Sequence, residues 1–393
     1  MATPTVEPDP GHAGAGSVMS GSAGTVAVVG GGIIGLSCAW RAATAGFAVT
    51  VHDPAPGSGA SRVAGGMLAP VTEAVPGEAE VLALGTASLR RWPAFAGELA
   101  AAGADPGLQT RGTIVVAVDP GDRADLDRLA EQLSRIGRPV ELLSGRQARQ
   151  MEPSLGPQVC RALSVPDDLS VDNRALLDAL LGACRGAGVH FHRQRCARLP
   201  AADVVVLAAG AHSAALHPVL ARVIRPVKGE IMRLRARSGT LAPPSRTVRA
   251  IVGGRHSYLV PRGGGGLVLG ATQRETGFDT DVTAGGVRAL LTDAELVLPA
   301  IAEYTLEEAA AGLRPGSPDN LPVIGELEPG VLAATGHHRN GILLAPLTAD
   351  AVLALLRGEP VPVEAEPAAP ARLVSGDTSS GSYRHSQGAR SAP

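Results

Sequence analysis

The sequence predicts an α/β fold. A mostly parallel sheet carries helices on both faces, and a second, α+β domain built on an antiparallel sheet is inserted into it. Three observations predict this. Thr25 to Pro70 reads as strand, glycine turn, helix, a strand ending in an acid, and a second loop of small residues. Val204 to Ala209 is a wholly apolar strand ended by Gly210, the pattern of a parallel strand covered on both faces. From Pro226 to Thr272 the chain changes to β runs, two of them joined across Gly263 to Gly266 as a hairpin.

The first unit is a Rossmann-like dinucleotide site. Val26 to Val29 stops at Gly30, a helical run spans Ile33 to Ala45, Gly46 ends it, and Phe47 to His52 forms a strand closed by Asp53. Gly30 makes the tight turn, Gly32 lets a pyrophosphate approach the backbone, and Gly35 lets helix and strand pack closely. The helix N-terminus, at Ile33 and Ile34, offers free N–H groups to the phosphates. Asp53 is placed to accept the ribose hydroxyls of an adenosine half.

Further along, helices are expected over Val81 to Ala102, Arg123 to Ile136, Asp172 to Gly188 and Asp281 to Leu298. Strands are expected over Arg111 to Val118, Val140 to Leu143, Val189 to His192 and Val331 to Ala334. A last helix runs from Gly341 to Arg357. The economical division gives the nucleotide domain residues 24–88, 160–225 and 312–362, with 89–159 and 226–311 forming the inserted domain. Residues 1–23 and 363–393 are rich in Gly, Ala, Pro and Ser and are expected to be disordered. Met19, just before the first strand, is an alternative start of translation.

Composition narrows the function. A chain of 393 residues suits two domains. A formal charge of −2 and a pI near 6.6 give no reason to expect a nucleic-acid partner. Lys228 is the only lysine. The four cysteines (Cys38, Cys160, Cys184 and Cys196) are scattered, with no C-x-x-C and no zinc-ligand spacing. They imply a reducing, cytoplasmic interior without disulfides and no metal site. The segment Gly341 to Leu356 is too short and too interrupted to span a bilayer, so no membrane partner is expected.

The first glycine loop alone leaves NAD and FAD open. The second, Gly59-Ala60-Ser61-Arg62 followed by Ala64-Gly65-Gly66-Met67-Leu68, offers bare backbone to a flavin ring or a pyrophosphate. With GGGIIGLS, GASRVAGGMLAP, PVKGE, YLVPR, AGLRPGSPDNLPVIG and GHHRNGILLAP, the sequence resembles glycine oxidase of the D-amino-acid oxidase group of flavoproteins, linked to the thiazole of thiamine. The resemblance spans roughly Thr25 to Gly358, and the AGLRPG and RNGILLAP motifs make it specific.

The resemblance implies FAD as cofactor, glycine and O2 as reactants, and a homo-oligomer, a homotetramer in the family. It assigns Arg314 and Tyr258 to the substrate carboxylate, for which a planar two-pronged donor is suited. Arg339 would stand beside pocket and flavin, and His256 at the entrance. Flavin contacts are implied at Ile33, Ile34, Asp53, Ala60, Ser61, Gly65, Gly66, Met67 and Cys196, and along His337, His338, Arg339, Asn340, Gly341, Ile342 and Leu343. A helix N-terminus near Gly341, aimed at the flavin N1–C2=O edge, would stabilise negative charge there. The mechanism implied is hydride transfer from Cα of a neutral amine, with no residue nominated as base.

Two departures from the family pattern stand out. The connection 193–200, which carries the implied contact at Cys196, is very short, and Gln273 stands where the family can carry methionine. The same frame would also serve a D-amino-acid or sarcosine oxidase or a dehydrogenase. A related flavin domain acts in tRNA-base modification, against which the balanced charge weighs.

Overall fold

The computed structural model describes residues 24–75 and 77–373. The N-terminal extension, the alternative start at Met19 and the tail beyond residue 373 lie outside them.

Six strands form the nucleotide-domain sheet, in the order Val323–Glu328, Val331–Thr335, Val204–Leu207, Thr25–Val29, Ala48–His52 and His190–His192. Neighbours are parallel except for the first pair. The period of two along the first strand divides the core. Val26 and Val28 face Leu36, Trp40, Leu180 and Leu347 on the helical layer, while Ala27 and Val29 face Leu220 and Ile224 on the other side. Helices Ile33–Thr44, Asn173–Gly186 and Ala345–Arg357 contribute to the first layer.

The second sheet has eight strands, in the order Thr305–Gly316, Arg225–Arg235, Gly266–Gly270, Arg255–Arg262, Thr247–Val252, Thr113–Ala117, Arg161–Val165 and Glu141–Ser144. Only Thr247–Val252 and Thr113–Ala117 pair in parallel. Helix Ala284–Val297 covers one face through Leu290, Ala294 and Val297. On the opposite face helix Pro120–Arg135 covers one end, through Leu126 and Leu133. Elsewhere on that face Ile231, Val260 and Val268 meet Val63 and Met67 of the second glycine loop. The cleft between the two sheets opens there.

The expected boundaries need correction at five places. Helix Ala79–Ala101 buries Trp92, Phe95 and Leu99 in the nucleotide-domain core, and Phe95 meets Trp40 edge-on at 5.4 Å, so residues 89–101 join that domain. Strand Arg161–Val165 belongs to the eight-stranded sheet. Strand Thr305–Gly316 runs through the expected boundary at 312. Residues 363–373, expected to be disordered, form two 3-10 turns that bury Ala365 and Ala368 in the core, while Arg372 pairs with Asp319 at 2.8 Å. Small alanines and a proline dock there, so the segment packs without the large apolar residues whose scarcity suggested disorder. The last helix, expected from Gly341, starts at Ala345. His338–Asn340 is a 3-10 turn ahead of it, and the Leu344 amide donates to the Asn340 carbonyl at 2.8 Å.

Candidate active site

The site begins at the glycine turn. A Cβ on Gly35 would stand 1.9 Å from the Gly30 carbonyl oxygen, and one on Gly30 would stand 2.4 Å from that of Ala208. Helix Ile33–Thr44 can therefore approach its strand only with hydrogens at these positions. Gly32 caps the helix without a side-chain partner, and its first turn carries no acid. The Ile33 amide donates to the Ser61 hydroxyl at 3.0 Å, which joins the two small-residue loops. The Asp53 carboxylate accepts from the amides of Gly31 and Ala55, both at 2.7 Å, and is fixed at the mouth of the turn.

The second loop is held from behind by residues that no sequence pattern singled out. Asn173 donates to the carbonyls of Ser61 and Arg62 at 2.8 and 2.9 Å. The Arg262 guanidinium donates to the Gly65 carbonyl at 2.7 Å, and burial lowers its pKa to about 10. Gly66, at φ 75°, leaves no space for a side chain against the Val171 carbonyl.

A cavity of about 1430 Å³ runs between the sheets. That exceeds the roughly 300–1,000 Å³ of an ordinary small-molecule pocket and suits a dinucleotide with a small substrate beyond it. Gly30, Gly32, Ile33, Ile34, Asp53, Ala60, Ser61, Gly65, Gly66 and Met67 line it. So do Cys196, His337, His338, Arg339, Gly341 and Ile342. The short connection after His192 carries Arg195 and Cys196 onto the wall. Gly35 acts beneath the wall, through helix packing. Two expected contacts depart from it. Leu343 buries its side chain in the nucleotide-domain core, and its carbonyl accepts from Ser88 and Trp92 at 2.7 and 2.9 Å. Asn340 is also buried away from the wall. An apolar side chain in a helical approach turns toward the core, and only its backbone remains near the ligand. No described residue accepts from the amides of Gly341, Ile342 and Leu343, which leaves these three N–H groups for a bound group.

At the far end stand Arg314 and Tyr258. Arg314 lies flat on Gly229, where a Cβ would meet its guanidinium at 2.3 Å. Its partners are backbone carbonyls, those of Thr272 at 3.3 Å and Lys228 at 3.5 Å. The Tyr258 ring lies over Gly270 and Gly65, one glycine from each domain, at 2.4 and 2.7 Å from a Cβ built there. Its hydroxyl has no hydrogen-bond partner among the described residues. Burial raises its pKa, an effect that the charge of Arg314 moderates.

Arg339 stands on the wall, but its guanidinium is engaged with Glu73 at 3.3 Å and Glu78 at 3.6 Å. Arg249, which sequence reasoning missed, pairs with Glu73 at 2.8 Å. Thr72 also escaped it; this lining residue donates to buried Asp168 at 2.8 Å. His256 stands at the rim, and desolvation, with the nearby charges of Arg249 and Arg339, lowers its pKa. Burial lowers the pKa of His337 to about 3, and the ring meets the Thr348 hydroxyl at 3.0 Å. Among the described residues no cluster of His, Cys, Asp or Glu could hold a metal, and no helix is long and apolar enough to cross a membrane.

Residues 25–355 match the family described as FAD dependent oxidoreductase. The chain belongs to this family. It is 34% identical over 346 residues to a glycine oxidase of Geobacillus kaustophilus, covering 82% of this chain and 90% of that protein. A putative thiamine biosynthesis oxidoreductase, ThiO, of Rhizobium etli is 34% identical over 337 residues, 83% of this chain and 94% of the relative. The crystal structure of the Geobacillus kaustophilus glycine oxidase superposes with a TM-score of 0.80 at 32% identity, covering 88% of this chain and 98% of that one. The family cofactor is FAD. The bare glycine backbone, the open helix N-terminus and the unpartnered amides of residues 341–343 fit it.

Proposed function

We propose that this member of the family oxidises glycine to iminoacetate while reducing O2 to H2O2, and so supplies a precursor for the thiazole of thiamine. One observation carries the substrate reading. At the cavity end a half-buried guanidinium, Arg314, is held by carbonyls alone and faces an unpartnered Tyr258 hydroxyl. A small carboxylate satisfies both. The similarity to glycine oxidases and to ThiO supports the amino acid and the pathway.

When bound, FAD supplies a hydride acceptor that O2 can reoxidise. The chain's own part is positional. Arg314 and Tyr258 fix the carboxylate and thereby the Cα–H, which converts a collision into an oriented encounter. The first-loop helix and Ser61 hold the cofactor's phosphates, and Gly65 to Met67 admit its ring to the backbone. Arg339 and Arg249, offset by Glu73 and Glu78, line the approach without competing for the carboxylate. The substrate amine loses its proton to solvent before reaction, so no side chain need act as base.

The four cysteines are free thiols, which supports a reducing cytoplasmic setting. The family resemblance supports a homo-oligomer. The test of function is the spectrum of the purified yellow protein, mixed anaerobically with glycine, N-methylglycine or D-alanine and then with O2. Fastest bleaching by glycine with stoichiometric peroxide is expected. Bleaching by another amine alone would reassign the substrate, and absence of bleaching by any would overturn the reading.

A further inference from the structure

The two residues flanking Gly229 carry the inference. Because a strand alternates its faces, Gly229 lies beneath Arg314 while Lys228 and Glu230 point the other way. Both are only 1% exposed. Lys228, the sole lysine in a chain with 35 basic residues, meets Asp279 at 2.5 Å and Glu230 at 3.8 Å.

The Glu230 carboxylate is fully engaged. One oxygen accepts from the Thr283 amide at 2.7 Å, at the start of helix Ala284–Val297, and the other from the Thr272 hydroxyl at 3.0 Å. The Glu230 amide donates back to that hydroxyl at 2.9 Å, and the Thr272 amide donates to the Glu230 carbonyl at 3.2 Å. Gly286 is a glycine for the same reason, since a Cβ there would stand 1.9 Å from the carboxylate. Burial alone would raise the Glu230 carboxyl. The Thr283 amide, Thr272 and Lys228 more than offset it and hold the group below its ordinary value.

These bonds converge on the substrate site. The two carbonyls that hold Arg314 belong to Thr272, whose hydroxyl and amide bond Glu230, and to Lys228, whose ammonium pairs with Asp279 and Glu230. Lys228 is also tied through its backbone to Arg274, at 2.8 and 3.0 Å. The cluster further anchors both ends of the rim segment 273–283 through Thr272 and Thr283, and its middle through Asp279. From that segment Gln273 and Thr280 line the cavity, and Phe278 stacks on His212 of the nucleotide domain at 4.9 Å.

We propose that Glu230 and Lys228 are positioning residues for substrate carboxylate binding. The buried ionic cluster they form with Asp279 fixes the carbonyls of Thr272 and Lys228, and through them the pose of Arg314. The proposal rests on Arg314 as the carboxylate site. It predicts a penalty seen in carboxylate affinity rather than in cofactor affinity.

The test uses the flavin-loaded protein and titrates it anaerobically with glycolate, which is glycine with a hydroxyl in place of the amine and so keeps the carboxylate without the amine that the proposed oxidation needs. Flavin absorbance reads Kd, and KM and kcat for glycine follow. In Glu230→Gln and Lys228→Met the glycolate Kd and the glycine KM should rise together by roughly tenfold or more, with kcat changing less and FAD affinity retained. Two milder variants cover the case where these fail to fold. Asp279→Asn, at a partly exposed site, and Thr272→Val, which keeps the carbonyl but loses the hydroxyl tie, should each raise Kd about threefold or more. A merely structural role would lower Tm and leave Kd unchanged in the folded, flavin-loaded fraction. Wild-type Kd in the variants that fold would overturn the proposal. If glycolate binds wild type but glycine does not bleach the flavin, the glycine reading falls, and positioning is still decided by the Kd comparison. If glycolate fails to bind wild type, both fall.

Discussion

Arg314 stands on bare backbone because Gly229 yields the space, and its planar fork keeps its open edge for a ligand because only carbonyls hold it. On the proposed reading its removal deletes a charge-assisted, two-pronged contact, so Arg314→Ala should lower kcat/KM by roughly 10²-fold or more in steady-state assays on glycine. A value near wild type would remove this residue from the site. Tyr258→Phe is a gentler probe. Its hydroxyl has no partner among the described residues, so Tm should stay within a degree or so of wild type, while kcat/KM drops about tenfold for one lost bond to a charged group. Both residues stood out in the sequence through their motifs, and both line the cavity. Thr72, Asp168, Glu73, Arg249 and Arg262 did not stand out. Each acts through a partner far along the chain, as Glu73 does with Arg249, and no local spacing records such a pairing.

At the scale of elements, the units with strong periodicity or turn chemistry read correctly. They include the first strand, turn and helix, the Gly263 hairpin, and the helices over 173–186 and 284–297. Strand Thr305–Gly316 escaped notice because Leu306 to Ala311 are residues of good helix propensity. Its pairing with Arg225–Arg235 along nearly its whole length overrides that preference. Arg161–Val165 and Thr247–Val252 went unread although turn residues follow both, Pro166-Asp167 after the first and Gly253-Gly254, at positive φ, in the hairpin after the second. The helix-to-strand contact at the nucleotide turn makes a sharp prediction. Gly35→Ala places a methyl where a carbonyl oxygen already sits, so the purified protein should contain little or no flavin by absorbance. Gly46→Ala, which has open space but a positive φ, should keep its flavin and lose only about 1 kcal/mol of stability. Equal flavin content in the two variants would contradict this account of the turn.

The whole molecule shows how interleaved segments share one cleft, and its buried titratable groups set how the fold responds to acid. His337 and His338 have their pKa values lowered from 6.5 to about 3 by desolvation, the second also by Arg339, Arg314 and Arg225. Between those limits the unfolded chain binds two protons that the folded chain excludes. Asp168 works in the opposite sense. Burial raises it from 3.8 to about 7, against a bond from Thr72, so the folded chain holds one proton that the unfolded chain releases. His contributions are thus complete above about pH 6.5 and fade as pH falls toward 3, whereas that of Asp168 is present near pH 4 and fades as pH rises to 7. Two protons against one leave stability rising with pH from 4.5 to 6.5, by about 1.4 kcal/mol per unit. The more exposed His52, His212 and His256 are lowered as well and add to the slope. Urea midpoints measured at pH 4.5, 5.5 and 6.5 should therefore climb and then level off. Asp168→Asn keeps an acceptor for Thr72 but removes the opposing proton, so its slope should be steeper by about another 1.4 kcal/mol per unit. A slope unchanged in this variant would mean that Asp168 is ionised in the folded protein across that range.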